Sequence, residues 1–269
     1  MLKNKKLFII AEAGINHNGN FNTALKLAKK AKEAGADAIK FQTYKTEKRV
    51  KKNSPIFDIL KKCELDYSEF IKIKDYCDHI GIEFFSTPFD KEAVDFLSSI
   101  KVKKYKISSF DISNYELINK VLEKKIFTII STGMASLKEI IKINKIFKYK
   151  KVSHCILHCI SSYPNKEENS YLANIRFLKN KLDAEIGLSD HTPDINTCEI
   201  AYLMGAKVFE KHFKLSKDHK CVDSPVSITP DQLKSLRHKI ENINKIIGEP
   251  KFGIKNVEKS AKIFKRKKI

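Results

Sequence analysis

Short apolar runs, rich in β-branched residues, recur along the chain and alternate with longer amphipathic segments. Eight runs have the length of buried strands: 7–13, 38–44, 82–89, 105–109, 127–132, 155–162, 185–189 and 207–213. Apolar residues recur at helical spacing in 23–34, 67–79, 91–98, 114–124, 136–147 and about 230–247. Strict alternation predicts parallel strands with right-handed crossovers, and eight such units close most simply into a barrel. The predicted fold class is therefore α/β, a single-domain (β/α)8 TIM barrel.

The domain organisation follows from the same pattern. The chain has 269 residues, a usual length for one α/β barrel. Gly35, Gly81 and Gly205 each stand just before a predicted strand, where glycine commonly ends the preceding helix. We predict a (β/α)8 barrel over 1–248 and a basic C-terminal tail over 249–269, with no second domain.

The net charge is the one compositional feature that raises a different class of function. The chain carries 52 Lys and Arg against 32 Asp and Glu, a formal charge of +20, which is typical of proteins that bind nucleic acid. The lysines are spread over the polar faces of the predicted helices, and only 265–268 forms a compact basic run. We therefore expect no nucleic-acid partner.

The sequence also bears on compartment. Six cysteines include no C-x-x-C pair, the apolar run near the N-terminus is too short for a signal peptide, and no stretch reaches the length of a membrane helix. We expect a reduced, cytoplasmic protein without a membrane partner. Cys155 and Cys159 are interpreted as core or site-lining residues.

Polar residues cluster at the ends of the predicted strands, where barrels of this class place their active sites. Lys40 and Lys106 interrupt apolar runs, and an unpaired buried ammonium is costly. We favour a bound phosphate as their counter-ion over internal Glu or Asp pairing. Hydroxyls that could bind the same phosphate stand at Thr87, Ser109, Ser161 and Ser189. Neither common glycine-rich nucleotide motif is present, which argues against a nucleotide.

Two histidines predict a metal site. His191 and His212 end consecutive strands, so their imidazoles can converge at the barrel mouth. Glu12 and Asp223 are candidate carboxylates beside them. We favour a divalent metal over a pair that only forms hydrogen bonds.

These residues lie within a series of motifs that resembles the sialic acid (N-acetylneuraminate) synthase family. The motifs run in order over about 7–248: AEAGINHNG (11–19), DAIKFQTY (37–44), FFSTPFD (84–90), KISS (106–109), STGM (131–134), LSDHT (188–192) and EKHF (210–213). The resemblance implies condensation of phosphoenolpyruvate with an open-chain 2-acylamino hexose, N-acetylmannosamine or a relative, to give a nonulosonic acid and phosphate.

The resemblance also implies roles for individual residues. His191 and His212 match the ligands of a divalent metal, Mn²⁺ with Mg²⁺ or Co²⁺ as alternatives, and are counted with Glu12 as catalytic. Glu12 matches a glutamate beside the reacting carbons, either positioning water or acting as general base. The substrate-binding set, completed by Ser161 from the strand-end hydroxyls, is Lys40, Gln42, Thr87, Lys106, Ser109, Ser161, Tyr163, Ser189 and Asp223.

The chain departs from the family pattern in ways that leave the sugar open. It ends near where relatives begin a C-terminal antifreeze-like domain, so we expect the catalytic barrel alone, with a separate lid polypeptide as one alternative. Ser161 stands where many relatives carry asparagine. The segment VDSPVS (222–227) leans toward pseudaminate synthases, whereas AEAGINHNG leans toward neuraminate and legionaminate enzymes.

Three alternative functions remain beside that of an N-acetylneuraminate synthase-like enzyme. The chain could be a legionaminate or pseudaminate synthase, a synthase with a sugar-phosphate acceptor, or a truncated, non-catalytic paralogue that binds a ligand or partner. The resemblance implies a homodimer.

Overall fold

Eight strands pair in chain order, each parallel to the next, and the last pairs with the first to close a barrel. The computed structural model describes residues 7–266. The strands are β1 (Phe8–Gly14), β2 (Ala38–Thr43), β3 (Glu83–Pro88), β4 (Lys104–Ile107), β5 (Phe127–Ser131), β6 (His154–Cys159), β7 (Glu185–Asp190) and β8 (Val208–His212). The predicted barrel is confirmed, and every predicted strand overlaps an observed one. Parts of the predicted tail (267–269) and of the N-terminal segment (1–6) lie outside the described residues.

Helices cover the outside of the barrel. They are α1 (Phe21–Glu33), α2 (Thr46–Arg49), α3 (Phe57–Cys63), α4 (Tyr67–Ile80), α5 (Lys91–Ser99), α6 (Tyr115–Glu123), α7 (Leu137–Tyr149), α8 (Ala173–Lys181), α9 (Asn196–Leu203) and α10 (Pro230–Ile247). Side chains cap several N-termini, among them Asn20, Asp90, Ser136 and Thr229. Gly81 ends α4 in the left-handed conformation, as its position predicted. No helix within 7–266 is both long and apolar enough to cross a membrane.

Alternation along the strands divides the core into two parts. Side chains that point outward pack against the helices in a large apolar cluster. Those that point inward fill the lower part of the barrel with a smaller cluster: Phe8, Ile10, Ala38, Phe85, Ile129, Cys155, Leu157 and Val208. Because this layer is closed by apolar groups, polar side chains gather above it, at the carboxyl ends of the strands.

One buried ion pair lies on the outer side of the barrel wall. Lys211 Nζ contacts Asp190 Oδ2 at 2.9 Å, and both side chains are almost fully buried. The ammonium also donates to the backbone carbonyls of Thr192 and Asp194, at 2.5 and 2.8 Å. Asp190 accepts a 2.6 Å hydrogen bond from Thr197 Oγ1 on α9. The pair therefore joins β7, β8 and α9 behind the site.

Candidate functional site

A cavity of about 230 Å³ opens among the carboxyl ends of the strands. The structure brings all of the predicted site residues to it except Ser161, which lies beyond the end of β6 and does not line it. The predicted residues that do line it are Glu12, Lys40, Gln42, Thr87, Lys106, Ser109, Tyr163, Ser189, His191, His212 and Asp223.

The floor of the cavity is a network of buried charges. Lys40 Nζ lies 2.6 Å from Glu12 Oε2, donates to Thr87 Oγ1 at 3.1 Å and lies 3.6 Å from Glu210 Oε2. Lys106 on β4 reaches across the barrel to Glu210 on β8, with its Nζ 3.1 Å from Oε1. Both ammonium groups are therefore compensated by carboxylates. The alternative of internal pairing is therefore present in the structure, and a bound phosphate beside these pairs stays a prediction.

The two carboxyl groups of this network differ in their protonation. Burial raises the pKa of Glu12 despite the attraction of Lys40. Burial also opposes ionisation of Glu210, but Lys106 and Lys40 outweigh it and lower its pKa to about 2. Environments that push two pKa values apart separate a neutralising group from a proton-accepting one. Glu210 is the fixed negative charge, and Glu12 is the group suited to take up a proton.

The two histidines stand above this floor, on β8 and just after β7. Their ring centroids are 5.4 Å apart, and the Tyr163 ring lies 4.0 Å from that of His191. His191 Nδ1 lies 2.7 Å from the carbonyl oxygen of Ile160, which can only accept, so this nitrogen carries the proton. In the neutral form of this ring the lone pair is on Nε2, and that is the form in which histidine binds metals.

The second imidazole is similarly available. His212 Nδ1 is buried and lies 3.2 Å from Asp223 Oδ2, yet it has no partner in hydrogen-bonding geometry. Burial opposes ionisation of Asp223, but its interactions with the neighbouring His212 outweigh burial and lower its pKa. Within residues 7–266 no group of three or more His, Cys, Asp or Glu side chains is placed to hold a metal ion. The donor set fits a divalent ion that takes two imidazoles from the protein, and the metal itself stays a prediction.

A missing side chain shapes the wall between Glu12 and Asp223. Gly14 adopts φ +52°, and a Cβ there would lie 3.1 Å from Glu12 Oε1, 3.4 Å from Gln42 Nε2 and 3.5 Å from Asp223 Oδ2. Three functional groups thus converge on space that only glycine leaves open. Ser109, which also lines the cavity, accepts the backbone N–H of Gly133 on its Oγ at 2.9 Å, so its own hydroxyl proton is not used in that bond.

Several residues that line the cavity were not in the predicted site. Glu210 lies in the motif EKHF (210–213) but was given no role, whereas Cys159 was interpreted as a core or site-lining residue and does line the cavity. Phe89, at the end of the predicted strand 82–89, was given no role, and Arg49 and Phe110 were missed. Arg49 and Phe110 come from α2 and from the loop after β4, where no strand-end pattern marks them. An arginine soon after a strand end is the one signal that could have been used.

Comparisons of the sequence and the fold with known proteins identify a family. A model of the NeuB family matches residues 27–252. The chain is 36% identical to N,N'-diacetyllegionaminic acid synthase of Legionella pneumophila over 260 residues, 90% of this chain and 73% of that protein. It is 34% identical to pseudaminic acid synthase of Campylobacter jejuni (serotype O:23/36) over 278 residues, covering 97% and 81%. The crystal structure of N-acetylneuraminic acid synthetase from Leptospira borgpetersenii, in complex with citrate, superposes with a TM-score of 0.92 at 37% identity, covering 97% of this chain and 92% of that one.

Proposed function

The chain belongs to the NeuB family of sialic-acid-type synthases, and we propose that it condenses phosphoenolpyruvate with an open-chain 2-acylamino hexose to give a nonulosonic acid and phosphate. It is an enzyme, a phosphoenolpyruvate-dependent transferase that forms a carbon–carbon bond. The acceptor is N-acetylmannosamine or a relative. Legionaminate and pseudaminate synthases also take acylamino sugars as acceptors, so the proposal commits to this class of acceptor and not to one sugar.

The charged floor is the observation that carries the proposal. Each ammonium has three donors. Lys40 uses two of them on Glu12 and Thr87 and lies 3.6 Å from Glu210, whereas Lys106 uses one on Glu210 and has two left for a phosphate oxygen. The Ser109 hydroxyl adds a further donor. Phosphoenolpyruvate bound there would lie with its reacting carbons beneath the histidine pair. Carbon 3 attacks the aldehyde carbon, water adds to carbon 2, and phosphate leaves from the tetrahedral intermediate.

Glu12 is proposed as the group that receives the proton of the attacking water. Its Oε2 faces Lys40, whereas Oε1 faces Gln42 and the open space beside Gly14. Oε1 is therefore the atom placed to accept the proton. Burial raises the pKa of Glu12, which makes its carboxylate a better proton acceptor. A divalent ion, Mn²⁺ or alternatively Mg²⁺ or Co²⁺, would be held by His191 and His212 and would polarise the aldehyde oxygen.

Phosphate release tests the proposal. The chain is assayed with phosphoenolpyruvate, Mn²⁺ and a panel of 2-acylamino hexoses, with arabinose 5-phosphate and erythrose 4-phosphate as phosphorylated rivals. We expect turnover with at least one acylamino hexose, loss of turnover in EDTA and restoration by Mn²⁺. Turnover with a sugar phosphate alone would identify the rival synthase. Binding without turnover of any sugar would favour the non-catalytic paralogue.

The surroundings of the enzyme are also proposals. We expect a homodimer that works in the cytoplasm, where phosphoenolpyruvate is made. A separate antifreeze-like lid polypeptide is a candidate partner. Sedimentation analysis of the purified chain, alone and with such a polypeptide, tests both associations.

A further inference from the structure

Arg49 is a cavity-lining cation that the site described so far does not use. It is the last residue of α2, and its guanidinium carbon lies 3.7 Å from the ring centroid of Phe89 and 4.7 Å from that of Tyr44. Stacking on aromatic faces fixes the plane of a guanidinium and leaves its N–H edge free to bind. Glu64 holds the start of α2 through the backbone N–H and hydroxyl of Thr46, at 2.8 and 2.7 Å. The side chain is thus positioned from both ends.

Most of the donors of Arg49 have no partner in the protein. Its Nη1 donates to Gln42 Oε1 at 2.9 Å, and this is the one side-chain hydrogen bond that it forms within residues 7–266. In the same range no carboxylate lies within ion-pair distance, in contrast to Lys40 and Lys106. A guanidinium has five donors in a planar fork, so four donors of this cavity-lining side chain are left for water or a ligand.

The bond to Arg49 also fixes the orientation of the Gln42 amide. Arginine cannot accept a hydrogen bond, so Gln42 has to turn its carbonyl oxygen toward it. The amide nitrogen then faces Glu12 Oε1, at 3.5 Å, and the space beside Gly14. Gln42 consequently presents a donor to this space, in which Glu12 Oε1 and Asp223 Oδ2 are the acceptors.

We propose that Arg49 determines specificity for the acceptor sugar, by orienting Gln42 and by binding, together with it, the carbonyl oxygen of the 2-acylamino group. The inference rests on the proposed function and deepens it. Arg49 and Gln42 offer donors to a carbonyl oxygen, which an acylated amino sugar has and a free 2-amino hexose lacks. These donors therefore select an acylated amino sugar over the free 2-amino hexose.

The experiment measures KM for sugar and for phosphoenolpyruvate separately, in the wild type, R49M, Q42A and the double variant. K48M is the matched control, because Lys48 is the preceding residue of α2 and pairs with Glu92 away from the cavity. We expect R49M to raise the acceptor KM at least tenfold and to change the phosphoenolpyruvate KM less than twofold. The preference for the acylated over the free amino sugar should fall at least tenfold. K48M should stay within twofold of wild type throughout.

The double variant tests whether Arg49 acts through Gln42. The acceptor KM of R49M/Q42A should be no more than about threefold above that of the worse single variant, because each single substitution already disrupts the same Arg49–Gln42 unit. Multiplying effects, or an unchanged acceptor KM in R49M, would overturn the inference while leaving the proposed function intact. If the wild type turns over no acylamino hexose, the proposed function fails and the inference fails with it. R49L replaces R49M should the latter not fold, with the phosphoenolpyruvate KM as the check of an intact floor.

Discussion

The buried pair Asp190–Lys211 provides a quantitative test of how the strands that carry the two histidines are held together. Lys211 is completely buried and Asp190 is 3% exposed. Replacing Lys211 with Met removes the charge that Asp190 faces and the donor that two backbone carbonyls use. Replacing Asp190 with Asn leaves a buried ammonium without its counter-charge.

The expected magnitude is large. Removing one partner of a buried ion pair costs about 3–5 kcal/mol. For a chain of this size each kcal/mol shifts the unfolding midpoint by roughly 2–4 °C. D190N and K211M should therefore each lower the midpoint by roughly 6–20 °C, measured by circular dichroism with Mn²⁺ absent. K91M is the control: Lys91 and Glu116 are 54% and 74% exposed, and such a pair contributes only about 0–1 kcal/mol.

The double variant D190N/K211M separates the pair from general damage to the wall. It removes both charges, so its midpoint should fall by clearly less than the sum of the two single effects. Additive losses would refute the reasoning, as would a K211M midpoint no lower than that of K91M.

Two further predictions concern the site. Gly14→Ala should cost about 1–2 kcal/mol for its left-handed backbone and lower kcat/KM at least tenfold, because the new Cβ would lie 3.1 Å from Glu12 Oε1; Gly253→Ala, at φ +86° in open space, should leave kcat/KM unchanged. Glu64→Gln should lower the unfolding midpoint at pH 7 by an amount equivalent to about 1–2 kcal/mol. Burial opposes ionisation of Glu64, but hydrogen bonds from Thr46 lower its pKa to about 2 from an ordinary 4.5, so the carboxylate stabilises the fold above pH 4.5. The gap between wild type and Glu64→Gln should shrink as the pH falls from 4.5 toward 2, and a constant gap would count against this role.

The fold could be predicted because every strand is marked in the sequence by a short apolar run. Apolar runs and amphipathic segments alternate along most of the chain, and the barrel follows from parallel connections. Helices α8 and α9 were not among the segments named in advance. The errors are local. Strand β6 ends at Cys159 rather than Ser162. The chain then turns through Tyr163 and Pro164, and a proline has no backbone N–H to donate to a neighbouring strand. Helices α2 and α3 span four and seven residues, too few for a helical period to be read.

The site could be predicted in part, for a physical reason. Lys40, His191 and His212 are polar groups in apolar strands, and burial makes such residues conspicuous in a sequence. Their partners are not conspicuous, because Lys106 and Glu210 are 104 residues apart and meet only across the closed barrel. Arg49 lies on a short helix outside any periodic pattern, so only the folded loop reveals that it faces the cavity.

The outward pair on β7 and β8 has a consequence for how the gene can change. Asp190 is flanked by Ser189 and His191, and Lys211 is followed by His212, so residues for stability and residues for the site alternate letter by letter. Losing one codon within either strand would turn the ion pair into the cavity and the histidine out of it. These two segments can drift by substitution, whereas insertions and deletions should be confined to the loops beyond them.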